Sequence, residues 1–475
     1  MGFSASAVIG EVSLATPVKV QGFGDRDAMD NVSPREHQHE PQVAENAARP
    51  WVGRLQKASN DRGYIDSSNA FVLPLCRHFG EAFSAFTRRP ADVERQLRSI
   101  KEAGYDCIRF WDHLGEYSAA WRGKEVSPWS WTNADRVRVS ATREYFAKAE
   151  AFVIASERAG LALDHSGGDF GRQRSNFPVS QIVGMREQWA KIYDRRGWHN
   201  LALGEAINEA WQNGGLSPAD LLRIVDPFKA RGALVGLSAP PESSEDAADL
   251  NAYSRGASVY IVHGHRMGDS TERLRHIFSI PYEGQAEKRL GWQTEPTGPG
   301  PAVTVGRVDD VEELALLSAQ AWAARQAWTM MSSCGIFWTC PLESEPGHHA
   351  VPRMRQVLRS FSPDVMEWPV LTHGGRDDAP LRSTTGYFGD VGVERGPARI
   401  NITAHASGRK YVAVVSGGRA PRELRNHLPC TADITLVHAQ PDETIAQQRL
   451  TIGAGETFSI DYRVGRLVLS QCQSQ

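Results

Sequence analysis

The sequence predicts an α/β protein: a (β/α)8 TIM barrel followed by a C-terminal all-β sandwich. Three observations predict it. From about residue 65, short apolar runs alternate with helical periods, as buried parallel strands alternate with their crossover helices. The runs number eight and occupy roughly 280 residues, close to the usual size of such a barrel. After about residue 380 the helical periods stop, and short alternating runs sit between Gly, Pro and Asp turns.

The barrel strands are read at 70–76 (AFVLPLC), 105–111 (YDCIRFW), 161–167 (LALDHSG), 200–209 (NLALGEAINE), 233–239 (ALVGLSA), 258–264 (SVYIVHG), 289–295 (RLGWQTE) and 334–340 (CGIFWTC). Between the first two, ADVERQLRSIKEAG places Val93, Leu97, Ile100 and Ala103 on one helical face and stops at Gly104. TREYFAKAEAFVIASERAG repeats the pattern with Tyr145, Ala149, Phe152, Val153 and Ile154, ending at Gly160. VDDVEELALLSAQAWAARQAWTMM opens with Asp309 and Asp310, which suit a helix N-terminus. An open, doubly wound sheet would call for a Gly-rich phosphate turn after the first strand, and none follows it. The sandwich strands are YFGDVGVERG, ARINITAHA, KYVAVVSGG, TADITLVHA, QQRLTIGAG and ETFSIDYRVGRLVLS. The domain reading is therefore an arm and linker at 1–50, partly irregular, a catalytic barrel at 51–375 and a β-sandwich at 376–475.

Composition excludes several classes. A net charge of -3 over 475 residues leaves no electrostatic footprint for nucleic acid or an anionic membrane. No apolar run is long enough to span a bilayer. The first twenty residues lack a basic stretch and carry Glu11 within their apolar part, unlike a secretory signal. The expected setting is cytoplasmic, or release from the cell or association with a virion. The cysteines, Cys76, Cys107, Cys334, Cys340, Cys430 and Cys472, show no CxxC spacing and read as buried free thiols. A Cys430–Cys472 disulfide is the lesser alternative.

In a barrel of this kind, working residues stand at the C-terminal ends of the strands. Those ends supply Cys76, Arg77 and His78; Arg109, Trp111 and Asp112; Asp164 and His165; Asn208 and Glu209; His263 and His265; Glu295; and Trp338. Glu209 and Glu295 end the fourth and seventh strands, on roughly opposite sides of the mouth, so their carboxyl groups can converge over the axis. Two converging carboxylates suit glycoside hydrolysis, one protonated to serve the leaving oxygen and one ionised to meet the anomeric carbon. Glu205, four residues earlier on the same side of its strand, reads as structural, paired with a neighbouring strand's Arg or His.

The pieces GEAINEAW, GWQTEPTG, GIFWT and CIRFW, in their strand order, resemble the clan A glycoside hydrolases, the retaining, cellulase-like (β/α)8 group; the resemblance covers about residues 65–345. It implies Glu209 as acid/base, Glu295 as nucleophile, Asn208 as a partner of the substrate hydroxyl beside the anomeric carbon, and Arg109 as the group that keeps Glu295 ionised. Trp338 would offer an apolar face to a sugar ring, and His165, Trp111 and Trp211 would bind or support. The clan's sixth strand often ends in His-x-Tyr; here it reads His263-Gly264-His265, so His265 or Tyr260 would support Glu295 in place of that Tyr.

Other readings of these residues are weaker. A His-x-His metal centre would belong on the first strand, and here it falls on the sixth, so no metal and no organic cofactor is expected. The loop after the second strand holds Trp111, Trp121, Trp129 and Trp131, aromatic faces suited to sugar C–H surfaces or to pinning the loop. The expected partner is an oligo- or polysaccharide, with the N-terminal arm as an attachment piece. The alternative from another class is a non-catalytic carbohydrate-binding barrel or a structural part of a phage particle.

Overall fold

The computed structural model describes residues 50–60, 62–112, 130–132, 138–140, 143–167, 179–208, 216–239, 255–263, 290–295, 310–331, 338, 340–371, 379–383, 399–416 and 422–473. Residues 1–49 of the N-terminal arm lie outside them. Eight parallel strands close into a barrel: β1 (Leu75–His78), β2 (Cys107–Trp111), β3 (Ala162–Ser166), β4 (Leu201–Glu205), β5 (Val235–Ala239), β6 (Val259–His263), β7 (Gly291–Glu295) and β8 (Gln326–Met330). Closure is made by β8 against β1, with Trp328 opposite Leu75 and Met330 opposite Arg77. The (β/α)8 expectation therefore holds.

Two barrel strands differ from the sequence reading; in the sandwich, ETFSIDYRVGRLVLS divides into Thr457–Ile460 and Gly465–Cys472 in different sheets, and YFGDVGVERG lies outside the described residues. The run expected at 70–76 is divided by Pro74, which has no N–H to give a ladder. Phe71–Val72 joins a small antiparallel sheet with Gln56–Lys57 and Tyr64–Ile65, and the barrel strand starts only at Leu75. Tyr64 of that sheet donates to the Gly291 carbonyl at 2.9 Å and packs edge-on against Trp292. The eighth strand is a correction. It is Gln326–Met330, inside the segment expected to be helical, and not 334–340.

The reason lies in the preceding helix. The longer helices among the described residues are α1 (Pro90–Ala103), α2 (Arg143–Arg158), α3 (Val179–Arg195), α4 (Pro218–Lys229), α5 (Val311–Ala323) and α6 (Ala350–Phe361). α1 ends as expected, with Gly104 at φ 105, where a side chain would be strained. Asp310 caps α5 by accepting from the Glu313 amide at 3.2 Å. But α5 is buried on all faces, so its apolar residues show no polar stripe, and a helix of that kind runs indistinguishably into a buried strand. The break comes at Arg325, in the left-handed region at φ 62.

What buries the outer face of α5 is the β-sandwich. Its strands are β9 (Val370–Leu371), β10 (Leu381–Ser383), β11 (Arg399–Ala404), β12 (Lys410–Ser416), β13 (Arg422–Asn426), β14 (Ala432–Ala439), β15 (Ile445–Ile452), β16 (Thr457–Ile460) and β17 (Gly465–Cys472). Six form one antiparallel sheet in the order β9-β11-β12-β17-β14-β15, and β10-β13-β16 form the second. Alternation divides the residues of β12. Tyr411, Ala413 and Val415 enter the sandwich core with Leu424 and Phe458, while Val412 and Val414 join the barrel's core. Polar ties reinforce the junction: Thr403 donates to the Ala323 carbonyl at 2.7 Å, Arg466 reaches Glu312 at 2.6 Å, and Glu443 accepts the Ala350 amide at the start of α6.

The cysteines are a second correction. Cys76 and Cys107 form a disulfide between register partners on β1 and β2, Cys430 and Cys472 form another, and Cys340 is disulfide-bonded too. Scattered spacing hid the pairing because strand register, not sequence separation, brings Cys76 to Cys107. Alkylation of the denatured, unreduced protein should leave Cys76, Cys107, Cys430 and Cys472 unlabelled; a label on any of them, read by peptide mass, contradicts the pairing. The Cys430–Cys472 bond closes a loop of 42 residues. Replacing both by Ser should cost about 4 kcal/mol of stability, seen as a lowered Tm.

Candidate active site

Inside the barrel the site is built around Arg109. It is the third residue of β2, fully buried, and strand alternation sends it inward while Phe110 faces the helices. Its guanidinium is planar with five donors, and it uses them on four strands. Nη1 donates to Glu295 Oε1 at 2.8 Å and to His78 Nε2 at 2.9 Å. Nη2 donates to Glu205 Oε2 at 2.7 Å and to Asn208 Oδ1 at 2.8 Å. Nε reaches Glu205 at 3.2 Å, and Nη2 also points to the Ser166 hydroxyl on β3 at 3.4 Å. Since Arg only donates, His78 accepts through Nε2.

Three carboxylates surround this one cation. Asp164 on β3 stands opposite Arg109 in register, with Oδ2 4.0 Å from Nε. Burial opposes the charge on Arg109, but Glu205, Glu295 and Asp164 outweigh it and hold its pKa above the ordinary arginine value. Burial, reinforced by the charge on Glu205, pushes the Asp164 carboxyl well above the usual carboxylate range against the pull of Arg109. Ser238 on β5 donates to the second oxygen of Glu205. Glu205 is thus paired with an arginine as expected, but with Arg109 of β2, which lies beyond the neighbouring strand β3.

Glu295 is brought inward by an irregularity. Val262 pairs with Gln293, but His263 pairs with Glu295, so β7 carries one extra residue, Thr294. Such a bulge re-aims the side chain that follows it. It sets Glu295 beside His263, whose Nδ1 lies 3.7 Å from Oε2. A second shift, between the Leu163–Leu201 and Asp164–Leu203 pairs, adds Ala202 to β4, the other strand leading to a candidate glutamate.

Of the residues singled out from sequence, Arg109, Asn208, His263 and Glu295 meet here. Trp111, at the end of β2, packs edge-on against His78 at 5.4 Å and is almost fully buried. Three expectations change. His165 faces the helices, not the mouth: its ring lies against Trp189, and its Nδ1 meets the Tyr193 hydroxyl at 3.1 Å. Asp164 holds the inward position that alternation denies to its neighbour. Tyr260, three residues before His263, faces the other side of its strand, and its ring covers Gly291, four residues below Glu295. Tyr260 is thus turned away from Glu295, and the β6 side chain beside Glu295 among the described residues is His263. Trp338 follows β8 instead of lying in it; the Arg89 guanidinium sits 4.4 Å over its ring, and Phe79 meets it at 5.3 Å. Glu209, Trp211 and His265 lie outside the described residues.

Sequence reasoning gave no role to His78, Asp164, Ser166 or Ser238. The signal for His78 was present: starting β1 after Pro74 puts Cys76 and His78 on the inward face together.

No protein-family model matches the sequence, and no curated protein matches it. Solved structures do. A glycoside hydrolase superposes with a TM-score of 0.61 at 11% identity, over 89% of this chain and 98% of that one. A glycoside hydrolase of family 5 from Bacteroides vulgatus ATCC 8482 gives 0.63 at 11% identity, over 88% of this chain and 94% of its own. The likeness spans both modules, and at this identity it establishes the shared fold: a TIM barrel carrying a C-terminal β-sandwich.

Burial and the Arg186 charge lower the His165 pKa to about 4, against the pull of Asp112. The unfolded chain, with an ordinary value of 6.5, takes up the proton first. The stability this neutral ring contributes is present above pH 6.5 and is lost as pH falls through 4, a change of roughly 3 kcal/mol. Thermal unfolding followed from pH 7 to 4 should show a shallower fall in Tm for His165→Gln than for the wild type. Parallel curves would refute the assignment.

Proposed function

We propose that the protein is a retaining glycoside hydrolase that cleaves β-glycosidic bonds of an oligo- or polysaccharide by double displacement. The observation that carries this reading is the grip of Arg109 on Glu295 and Asn208 at the ends of strands seven and four. A guanidinium 2.8 Å from a carboxylate keeps it ionised, as a nucleophile must be. Arg109 occupies Oδ1 of Asn208, so the amide's donor end, Nδ2, is the one suited to the sugar hydroxyl next to the anomeric carbon.

In the first step, Glu295 Oε2 or Oε1 bonds to the anomeric carbon as the glycosidic C–O bond breaks. The leaving oxygen takes the proton of Glu209, the residue after Asn208. In the second step Glu209, now a carboxylate, removes a proton from water. The resulting hydroxide opens the glycosyl ester and releases Glu295. Arg109 and His263 stay beside Glu295 while its charge is consumed and restored. A non-catalytic binding barrel has no need for an ionised carboxylate gripped by a buried cation, so the arrangement favours chemistry over binding alone. The disulfides favour work in oxidising surroundings, where polysaccharides are met.

Glu295→Gln should abolish turnover while leaving the circular dichroism spectrum unchanged. Full activity in that variant would sink the mechanism. Glu209→Ala should lose far more activity on natural oligosaccharide than on activated aryl glycosides, because only the former needs a proton for its leaving group. A mechanism-based fluorosugar should label Glu295 and no other residue, read by peptide mass. Arg109→Met, with its ionising partner removed, should lower kcat about 10²–10³-fold.

A further inference from the structure

Behind the barrel wall stands another fully buried guanidinium that the chemistry above does not use. Arg186 projects from α3 and is fully buried. It lies on the outer side of the barrel wall, against the face opposite to Arg109. Its Nη1 donates to Asp112 Oδ2 at 2.7 Å and to His165 Nε2 at 2.5 Å, and its Nη2 donates to the Ala206 carbonyl at 2.9 Å. Asp112 follows β2, His165 belongs to β3, and Ala206 follows β4. These three strands present Arg109, Asp164 and Asn208 to the interior.

The surroundings fix that fork. His165 must accept from Arg186, so its proton is on Nδ1, directed at the Tyr193 hydroxyl 3.1 Å away. Tyr145 donates to the Asp112 carbonyl at 2.6 Å and receives the Trp189 indole N–H. Gly167 leaves the space: a Cβ there would stand 2.3 Å from the Ala206 carbonyl oxygen and 2.4 Å from Arg186 Nη2. The Gly167 carbonyl in turn accepts the Asn208 amide at 2.9 Å. The turn that carries the chain from β4 to Asn208 is therefore clamped on both sides of Ile207, by Arg186 at Ala206 and by Gly167 at Asn208.

We propose that Arg186 is a positioning residue for the acid/base end of the reaction, fixing through Ala206 the turn that presents Asn208 and, one residue on, Glu209. The assignment rests on the hydrolase reading above. Arg186 touches neither sugar nor reacting atoms. It acts by holding the height and angle at which β4 delivers its last residues, where a misplacement of about 1 Å is costly. A lysine in its place keeps a positive charge beside Asp112 but, with its donors on one nitrogen, cannot span the Nη1 partners Asp112 and His165 and the Nη2 partner Ala206 as the fork does.

The test compares wild type, Arg186→Lys and the charge-free pair Arg186→Gln with Asp112→Asn, the pair serving where the lysine variant folds poorly. Each is assayed on phenyl and 2,4-dinitrophenyl β-glycosides of glucose, mannose and xylose. A displaced acid/base shows in leaving-group dependence. The expected result is a kcat/KM lowered about tenfold or more on the phenyl glycosides and by no more than about twofold on the dinitrophenyl ones. Amide hydrogen exchange of peptides covering Leu201–Asn208 should quicken, with peptides over Gly291–Glu295 unchanged. Equal loss on both leaving groups, or unchanged exchange at Leu201–Asn208, overturns the proposal while leaving the hydrolase reading intact. A wild type that neither cleaves these six glycosides nor releases reducing ends from β-linked gluco-, manno- and xylo-oligosaccharides overturns the hydrolase reading and this proposal with it.

Discussion

One buried guanidinium organises the interior of this barrel. Arg109 has no solvent to satisfy its five donors, so its hydrogen bonds must come from side chains that the strands deliver. Each of those side chains is constrained in return: Glu205 and Glu295 are held by ion pairs to the cation, and Asn208 is turned by it. Removing one member of such a buried set leaves the others uncompensated, typically at a cost of about 3–5 kcal/mol. The fold and the candidate chemistry thus depend on the same contact.

Delivering those side chains requires departures from a regular barrel. Perfect alternation would fix each strand's inward set from its first residue. The extra residue on β7 resets that phase, and Glu295 faces His263 because of it. The extra residue on β4 does the same below Glu205. Outside the wall, Arg186 holds the ends of β2, β3 and β4 against one another through main-chain and side-chain acceptors. The site is fixed from within by one arginine and from without by another.

The β-sandwich contributes to this indirectly. Its six-stranded sheet covers α5 and α6, and α5 in turn packs behind β8. A helix apolar on every face would be a liability without that cover. The module is thus part of the barrel's wall on the side of β7 and β8, and the core that contains Leu316 and Leu317 also contains Val414, Leu467 and Leu469.

The sequence by itself determined the barrel, the sandwich, and the strand ends that carry Arg109, Asn208, His263 and Glu295, because period and turn chemistry are local properties that a single chain displays. It also placed Glu205 correctly as an arginine's partner. Only the tertiary structure decided the rest. The end of α5 and the start of β8 were illegible because burial on all sides erases the polar stripe that marks a helix. The choice of Asp164 over His165, and of His263 over Tyr260, depended on strand phase, which a single inserted residue reverses. The pairing of Cys76 with Cys107 depended on register between strands 31 residues apart. In each case the deciding fact is which residue lies across from which, a relation that exists only once the sheet has closed.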